Sequence, residues 1–454
     1  MNDSLVKATS LRELRRACVL RPLRGKELDV FWENTDAARD PEQSVRLQIR
    51  QVLEDAETQR ILVYGHKGCG KSTELEKLRQ ELGGGWFTVR FSILDDAVPI
   101  GLKAEDVLLS VAARLLDAAK HASPPLKVKD EYLKPVKDFF ARVSTRETDS
   151  RQSELSIEAG AHARTGGLLA GLVDLFAGIR GELKFGTSLE RSVVAEIRKR
   201  PADLVRAVNG LVEAVRLALP EESRMLIIVE DLDKVDLAVA HDLFIRNAQL
   251  LASISGNIIY TIPLFTFYCP SANVLTAQFN QAFSLPMVKV TQPDGSRAPG
   301  FETVRRLVLR RLEKRLISDD ALDLLIQKTA GVLRHVFEVL NTVSLMTSLR
   351  EAPIRKEHVE YGLKRLRSEL ATQIALPPEK VEGVTSVKQL YDWLWQAAKS
   401  QRAGQPKPRS SEPVVQVLLQ SCALVEYNGS GWLGVHPLAQ EYLVELGYNL
   451  QVRG

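Results

Sequence analysis

Ile61-Leu62-Val63-Tyr64-Gly65-His66-Lys67-Gly68-Cys69-Gly70-Lys71-Ser72 is the stretch on which the fold turns. Four apolar residues read as a short buried strand, and the eight that follow match GxxxxGK[ST] at every fixed position. Glycines at these places let backbone N–H groups converge on phosphate oxygens where a side chain would block the approach. A helix beginning near Lys71 and running through Leu75, Leu78 and Leu82 aims its N-terminal N–H groups at the same anion. The loop residues Gly65, His66, Lys67, Gly68, Cys69, Gly70, Lys71, Ser72 and Thr73 are therefore the candidate nucleotide cradle. Lys71 brings positive charge to the β- and γ-phosphates, and Ser72 offers its hydroxyl to Mg2+. His66 sits where many residues are tolerated, and the pattern gives it no individual role. The expected ligands are ATP and Mg2+.

Such a loop needs a second strand that delivers carboxylates. Met225-Leu226-Ile227-Ile228-Val229 is wholly apolar, as a central strand buried on both faces would be, and it ends in Glu230-Asp231-Leu232-Asp233. Burial explains the run but not the acids at its tip; magnesium binding and water activation explain those. Glu230 is expected in the metal shell and Asp231 beside the attacking water. The usual order is Asp then Glu, so the shorter Asp231 favours slow turnover. Thr261, at the end of the strand Asn257–Ile262, places a hydroxyl near the same water. Arg334, in Gly331-Val332-Leu333-Arg334 at the start of a later helix, reaches for the phosphates.

Around this centre, strands are expected at 86–91 and 286–290, and helices at 45–53, 103–120, 198–219 and 239–254. Strands alternating with helices give an α/β fold with a parallel sheet. Residues 150–200 read as a strand-helix-strand insertion, with strands near Leu155–Ala161 and at Leu183 and Phe185. After 300 the pattern turns helical, at 301–316, 319–329, 332–349 and 356–370. A Pro-containing linker follows at 375–385. Helices at 387–398 and 413–422, a hairpin turning at Asn428-Gly429-Ser430-Gly431 and a last short helix describe a winged helix. The expected units are an N-terminal arm and helix (1–58), a core (59–298), a helical lid (299–372) and the winged helix (385–454).

Bulk properties set bounds. The 454 residues are 45% hydrophobic and 26% charged with a net charge of +4, an ordinary globular balance whose mild basicity selects no partner. The four cysteines, Cys18, Cys69, Cys269 and Cys422, form no metal-ligand cluster, and one lies in the phosphate loop, which fits a reducing compartment. The N-terminal residues lack an apolar signal core, and no run approaches the roughly 20 apolar residues of a membrane span. The chain reads as cytoplasmic.

The order of these elements (phosphate loop, acidic strand tip, Thr-ended strand, then GxxR on a helical lid) resembles the AAA+ ATPases over residues 60–440, apart from 150–200. The closer likeness is to origin-recognition-type initiators and STAND signalling ATPases, and GHKGCGKSTEL and VEDLDK look like bacterial members that approach the KAP family. The resemblance implies a sheet of order 5-1-4-3-2. It also implies Lys71 and Ser72 as Walker A ligands, Glu230 and Asp231 as Walker B, Thr261 as sensor 1 and Arg334 as sensor 2. The Glu-Asp order departs from the pattern, and no arginine finger stands out among Arg305, Arg306, Arg310 and Arg311.

Two functions follow as expectations. One is a signalling ATPase switch, in bacterial defence by resemblance, relaying nucleotide state to the winged helix and a protein partner, with homo-oligomerisation open. The alternative is a DNA-associated ATPase using the winged helix and the basic loop Lys399–Arg409. The helix 413–422 carries Gln416, Gln420 and Ser421 but no Lys or Arg, poor equipment for base readout. A scaffold with a relic loop would not need the intact Lys71, Ser72 and acidic tip.

Overall fold

A computed structural model describes residues 6–40, 42, 44–145, 167–186, 191–292, 294–346, 353–408, 410–427 and 432–449. Four helices come first: α1 (Leu11–Ala17), α2 (Lys26–Phe31), α3 (Asp36–Arg39) and α4 (Val45–Asp55). The sheet region then runs β1 (Arg60–Gly65), α5 (Lys71–Leu82), β2 (Trp86–Ser92), α6 (Ile93–Asp96), α7 (Ala104–His121), α8 (Asp130–Thr145), α9 (Gly167–Phe185), α10 (Arg191–Arg198) and α11 (Pro201–Arg216). It continues through β3 (Arg224–Glu230), α12 (Leu237–His241), α13 (Ala248–Ala252), β4 (Asn257–Pro263), α14 (Asn273–Gln278) and β5 (Gln281–Ser284). A helical region follows: α15 (Gly300–Leu309), α16 (Asp319–Lys328), α17 (Leu333–Val343) and α18 (Lys356–Gln373). The C-terminal region holds α19 (Val387–Arg402), α20 (Pro413–Gln420), the antiparallel pair β6 (Leu424–Tyr427) and β7 (Trp432–Val435), and α21 (Pro437–Glu445).

The strands β1 to β5 form one parallel sheet of order β5-β1-β4-β3-β2, the order the resemblance implies. Alternate side chains feed two cores. Leu62, Ile227, Val229, Ile258 and Tyr260 pack on one face with the large helical layer. Ile61, Val63, Leu226, Ile228 and Ile259 pack on the other with Ile49, Leu75 and Leu78. Register sets the site: Ser92 lies beside Glu230, and Val63 beside Thr261. The carboxyl ends of β1 to β4 thus meet along one edge, where ligands bind in open α/β sheets.

Several expectations change, among them the basic loop expected at Lys399–Arg409, whose residues Lys399 to Arg402 belong to the helix α19. The fifth strand is Gln281–Ser284, which pairs with β1; in 286–290, Pro286 offers no N–H, and Met287, Val288 and Val290 are buried as irregular chain. Leu183 and Phe185 end the helix α9 and do not form a strand, while Leu172, Phe176 and Ile179 of that helix pack into the core. The alternation expected at Leu155–Ala161 lies outside the described residues, as do the hairpin turn 428–431 and Arg409. The helix expected over 239–254 is broken into α12, a π turn at Asp242–Arg246 and α13. In the C-terminal region, β6 packs against the sheet. Val425 and Tyr427 sit in the same core as Ile61, Leu75 and Leu78, and Tyr427 bridges to Met287.

Candidate functional site

The phosphate loop leaves β1 at Gly65 and enters α5 at Lys71. Gly70 caps the helix at φ 109°, a conformation that L side chains rarely adopt. Gly68 has φ 81°, and a Cβ there would lie 2.5 Å from Cβ of Arg334. The glycine is thus what allows Arg334 to lie across the loop. Lys71, only 4% exposed, directs Nζ back onto the loop: it donates to the carbonyls of Gly65 and His66 at 2.9 Å each and pairs with Asp233 Oδ2 at 2.8 Å. Burial alone would depress this ammonium, but Asp233 and Cys69 more than offset it and its pKa is raised. Lys71 therefore stays a cation without solvent, which phosphate binding requires.

The acid tip divides its tasks. Glu230, 4% exposed, pairs through Oε2 with Arg90 Nη2 at 2.7 Å, while its Oε1 is buried with no hydrogen-bond partner. Burial pushes its carboxyl up to about 7, against the pull of the Arg90 guanidinium and of Ser72. Asp231 adopts a left-handed backbone (φ 68°), strain of the kind that collects at functional sites. Its carboxylate accepts from Ser92 Oγ at 2.6 Å and pairs with Lys234 at 2.7 Å. Thr261, fully buried, donates to Asp233 Oδ1 at 3.3 Å. Asp233 therefore joins the Lys71 and Thr261 side chains; it was read as a third acid at the strand tip with no role of its own.

A cavity of about 350 Å3 opens over these groups. Gly68, Gly70, Lys71, Ser72 and Thr73 form its floor, with Asp231 and Asp233 on one side and Arg334 and Phe337 on another. Val19 to Arg24, Phe31 and Trp32 close the remaining wall. Nothing in the sequence marked these N-terminal residues. The arm is anchored by Leu23 N–H donating to Thr73 Oγ1 at 3.3 Å. Buried Arg39 braces the loop, donating to the Cys69 carbonyl at 2.6 Å and also to the Pro286 carbonyl. Glu230 and Thr261 do not line this cavity, and Gly65, His66 and Lys67 line a second cavity of about 280 Å3 that shares Asp233 and Lys234 with the first.

Of the arginines weighed as fingers, Arg311 lies buried in this chain's own cavity wall, with Phe31 and Phe337 stacked at 5.4 and 4.4 Å. Arg305 pairs with Asp319 and Asp323, and Arg306 and Arg310 both pair with Glu33.

The loop is also tied to the C-terminal region. His66 Nε2 accepts the Glu426 backbone N–H at 2.7 Å, so the neutral ring carries its proton on Nδ1. Glu426, in turn, accepts from the Tyr268 hydroxyl at 2.8 Å, on the segment that follows β4. His436 Nδ1 accepts the Leu438 N–H, which leaves Nε2–H facing His335 Nδ1 at 3.2 Å, next to Arg334. Burial lowers all three histidines, His66 to about 3, His335 to about 4 and His436 well below its usual value.

The residues fit a magnesium nucleotide. The free Oε1 of Glu230 near Ser72 is the unpaired buried acceptor a cation would satisfy. Among the described residues no group of three or more His, Cys, Asp or Glu forms a closed metal cage. Mg2+ takes one or two protein ligands plus phosphates and water.

No protein-family model and no curated protein matches the chain. Solved structures similar to it include the Thermotoga maritima RuvB Holliday junction branch migration motor, at 13% identity and TM-score 0.36, covering 95% of this chain and 99% of that one. Cdc6p from Pyrobaculum aerophilum matches at 11% and 0.36, covering 92% and 100%. The Aeropyrum pernix ORC1 protein in complex with DNA matches at 13% and 0.37, covering 99% and 96%. Identity and TM-score are low throughout, and the site's own geometry is what bears on activity. No helix among the described residues is long and apolar enough to cross a membrane.

Proposed function

We propose that this chain is a cytoplasmic ATP-binding, slowly hydrolysing switch of the AAA+ and STAND kind, serving bacterial defence through a protein partner or self-assembly. Its working parts are the sheet unit (59–298), the helical lid (299–372) and a C-terminal winged helix (385–454). The observation that carries the reading is the bond from His66, inside the phosphate loop, to the Glu426 N–H of the C-terminal hairpin. The loop proposed to hold the phosphates and the C-terminal hairpin thus meet at one residue.

On binding, Lys71 exchanges Asp233 and the Gly65 and His66 carbonyls for phosphate oxygens. Ser72 and Glu230 would hold Mg2+, which would neutralise developing charge on the phosphates. Asp231, fixed by Ser92 and Lys234, orients the attacking water, and Asp233 with Thr261 lies beside it. Arg334 reads the phosphates from the lid. A loop carbonyl that loses its cation shifts the His66 backbone, and the ring carries that shift to β6.

The DNA-associated alternative needs α20 to present its side chains. Val414 to Leu419 are all buried, which favours packing or protein contact over base readout. Steady-state ATP turnover with and without double-stranded DNA, using Lys71→Ala as the blank, separates the two. Slow turnover indifferent to DNA is expected; strong stimulation by DNA would transfer the chain to the alternative.

A further inference from the structure

We infer that Arg90 is the positioning residue that sets the distance between the two magnesium ligands, Ser72 and Glu230; this rests on the ATPase reading above. Arg90 projects from the middle of β2, between α5 and β3. Its guanidinium makes three contacts. Nη2 donates to the Ser72 backbone carbonyl at 3.0 Å and pairs with Glu230 Oε2 at 2.7 Å; Nη1 pairs with Glu76 Oε2 at 2.7 Å. The same nitrogen thus grips both proposed ligands, one through its main chain and one through its carboxylate.

The grip is selective. It occupies Oε2 of Glu230 and leaves Oε1 buried and unpaired, so one oxygen is clamped and the other is left for the cation. Glu76 fixes the guanidinium in turn and is itself held by Arg79 at 2.9 Å and the Gly25 N–H at 3.4 Å. A planar fork with several donors can bridge three acceptors in this way, whereas a lysine ammonium on a flexible stem cannot hold the same geometry. A buried ion pair present only for stability would need neither the Ser72 contact nor the free oxygen. Positioning groups behind metal ligands typically matter by about 10- to 100-fold in metal affinity.

The test is calorimetric titration of the full chain with ADP, in Mg2+ and in EDTA, together with its melting temperature. In the unsubstituted protein Mg2+ is expected to tighten ADP binding. Arg90→Met is expected to cut that Mg2+-dependent gain at least about tenfold, with affinity in EDTA unchanged. Arg90→Lys is expected to fall between the two, and Glu76→Gln to lose part of the gain in the same direction. An equal loss in Mg2+ and EDTA would make Arg90 a scaffold residue and overturn the inference, as would an intact gain in Arg90→Met. If Arg90→Met fails to fold, Arg90→Lys decides on the same criterion. Failure of the unsubstituted chain to bind ADP in either condition would overturn the ATPase reading, a distinct result.

Discussion

The floor of the nucleotide cavity and its walls were built by different kinds of information. The floor is Gly68, Gly70, Lys71, Ser72 and Thr73, all within one stretch of sequence whose chemistry is local: glycines that admit an anion, a lysine, a hydroxyl and a helix N-terminus. The walls come from Val19–Arg24 and from Arg334 on α17; outside this cavity, behind the loop, His66 accepts the Glu426 N–H of β6. Residues 66 and 426 meet across 360 positions of chain. On the proposed reading the floor binds nucleotide, and the walls with the His66–Glu426 contact carry the effect of binding to the rest of the molecule. Substitutions in the floor should therefore abolish binding or chemistry, and substitutions in the walls should uncouple them from the C-terminal region.

The sharpest break falls in the floor. Lys71→Ala removes the buried cation and should weaken ATP binding by on the order of a hundredfold, as expected for loss of charge-assisted contacts; undiminished affinity by calorimetry would dismantle the site. Asp231→Asn should bind ATP as before and lose most hydrolysis, read as single-turnover phosphate release. Unchanged turnover would move the water-orienting role to Asp233.

Acid should strike the contact with the C-terminal region first. His66, His335 and His436 are buried neutral, so each has a folded-state pKa below its unfolded value near 6.5. The unfolded chain then binds more protons. Their stabilising contribution is complete above about pH 6.5 and is lost as pH falls toward the folded values of about 4 and 3. At pH 5.5 the cost is about 1.4 kcal/mol for each of His66 and His335, and His436 adds in the same direction. Melting temperature measured at pH 7.5 and 5.5 should fall accordingly, and a flat profile would mean the histidines are open to solvent. A smaller effect is expected from His66→Leu. It leaves the buried Glu426 N–H unpaired at a cost of about 1–3 kcal/mol, with ATP affinity changed less than in Lys71→Ala. Proteolysis at the 375–385 linker should then lose its dependence on nucleotide.

Legibility in the sequence follows the same division. The loop, the acidic strand tip and the Thr261 strand were readable because each is a contiguous apolar run with polar groups at its end. The sheet order came from the resemblance and is the one observed. The edge strand was misplaced because 286–290 has the apolarity of a strand while only 281–284 pairs with β1. Leu183 and Phe185 alternate like a strand but close a helix, since two residues cannot separate the periods. Asp233 was seen as one acid among three, and only the folded chain shows that it, rather than Asp231, pairs with Lys71. Arg90, Arg39 and the Val19–Arg24 wall carry no motif; their placement depends on which strand lies beside which.

Hydrogen exchange at the Glu426 amide, followed in the nucleotide-free, ADP and Mg2+–ATP states, tests the coupling most directly. The amide bonded to the phosphate-loop His66 should exchange at a rate that changes between ADP and ATP, and His66→Leu should erase the difference. Identical exchange in all three states would mean that the C-terminal region does not read the nucleotide.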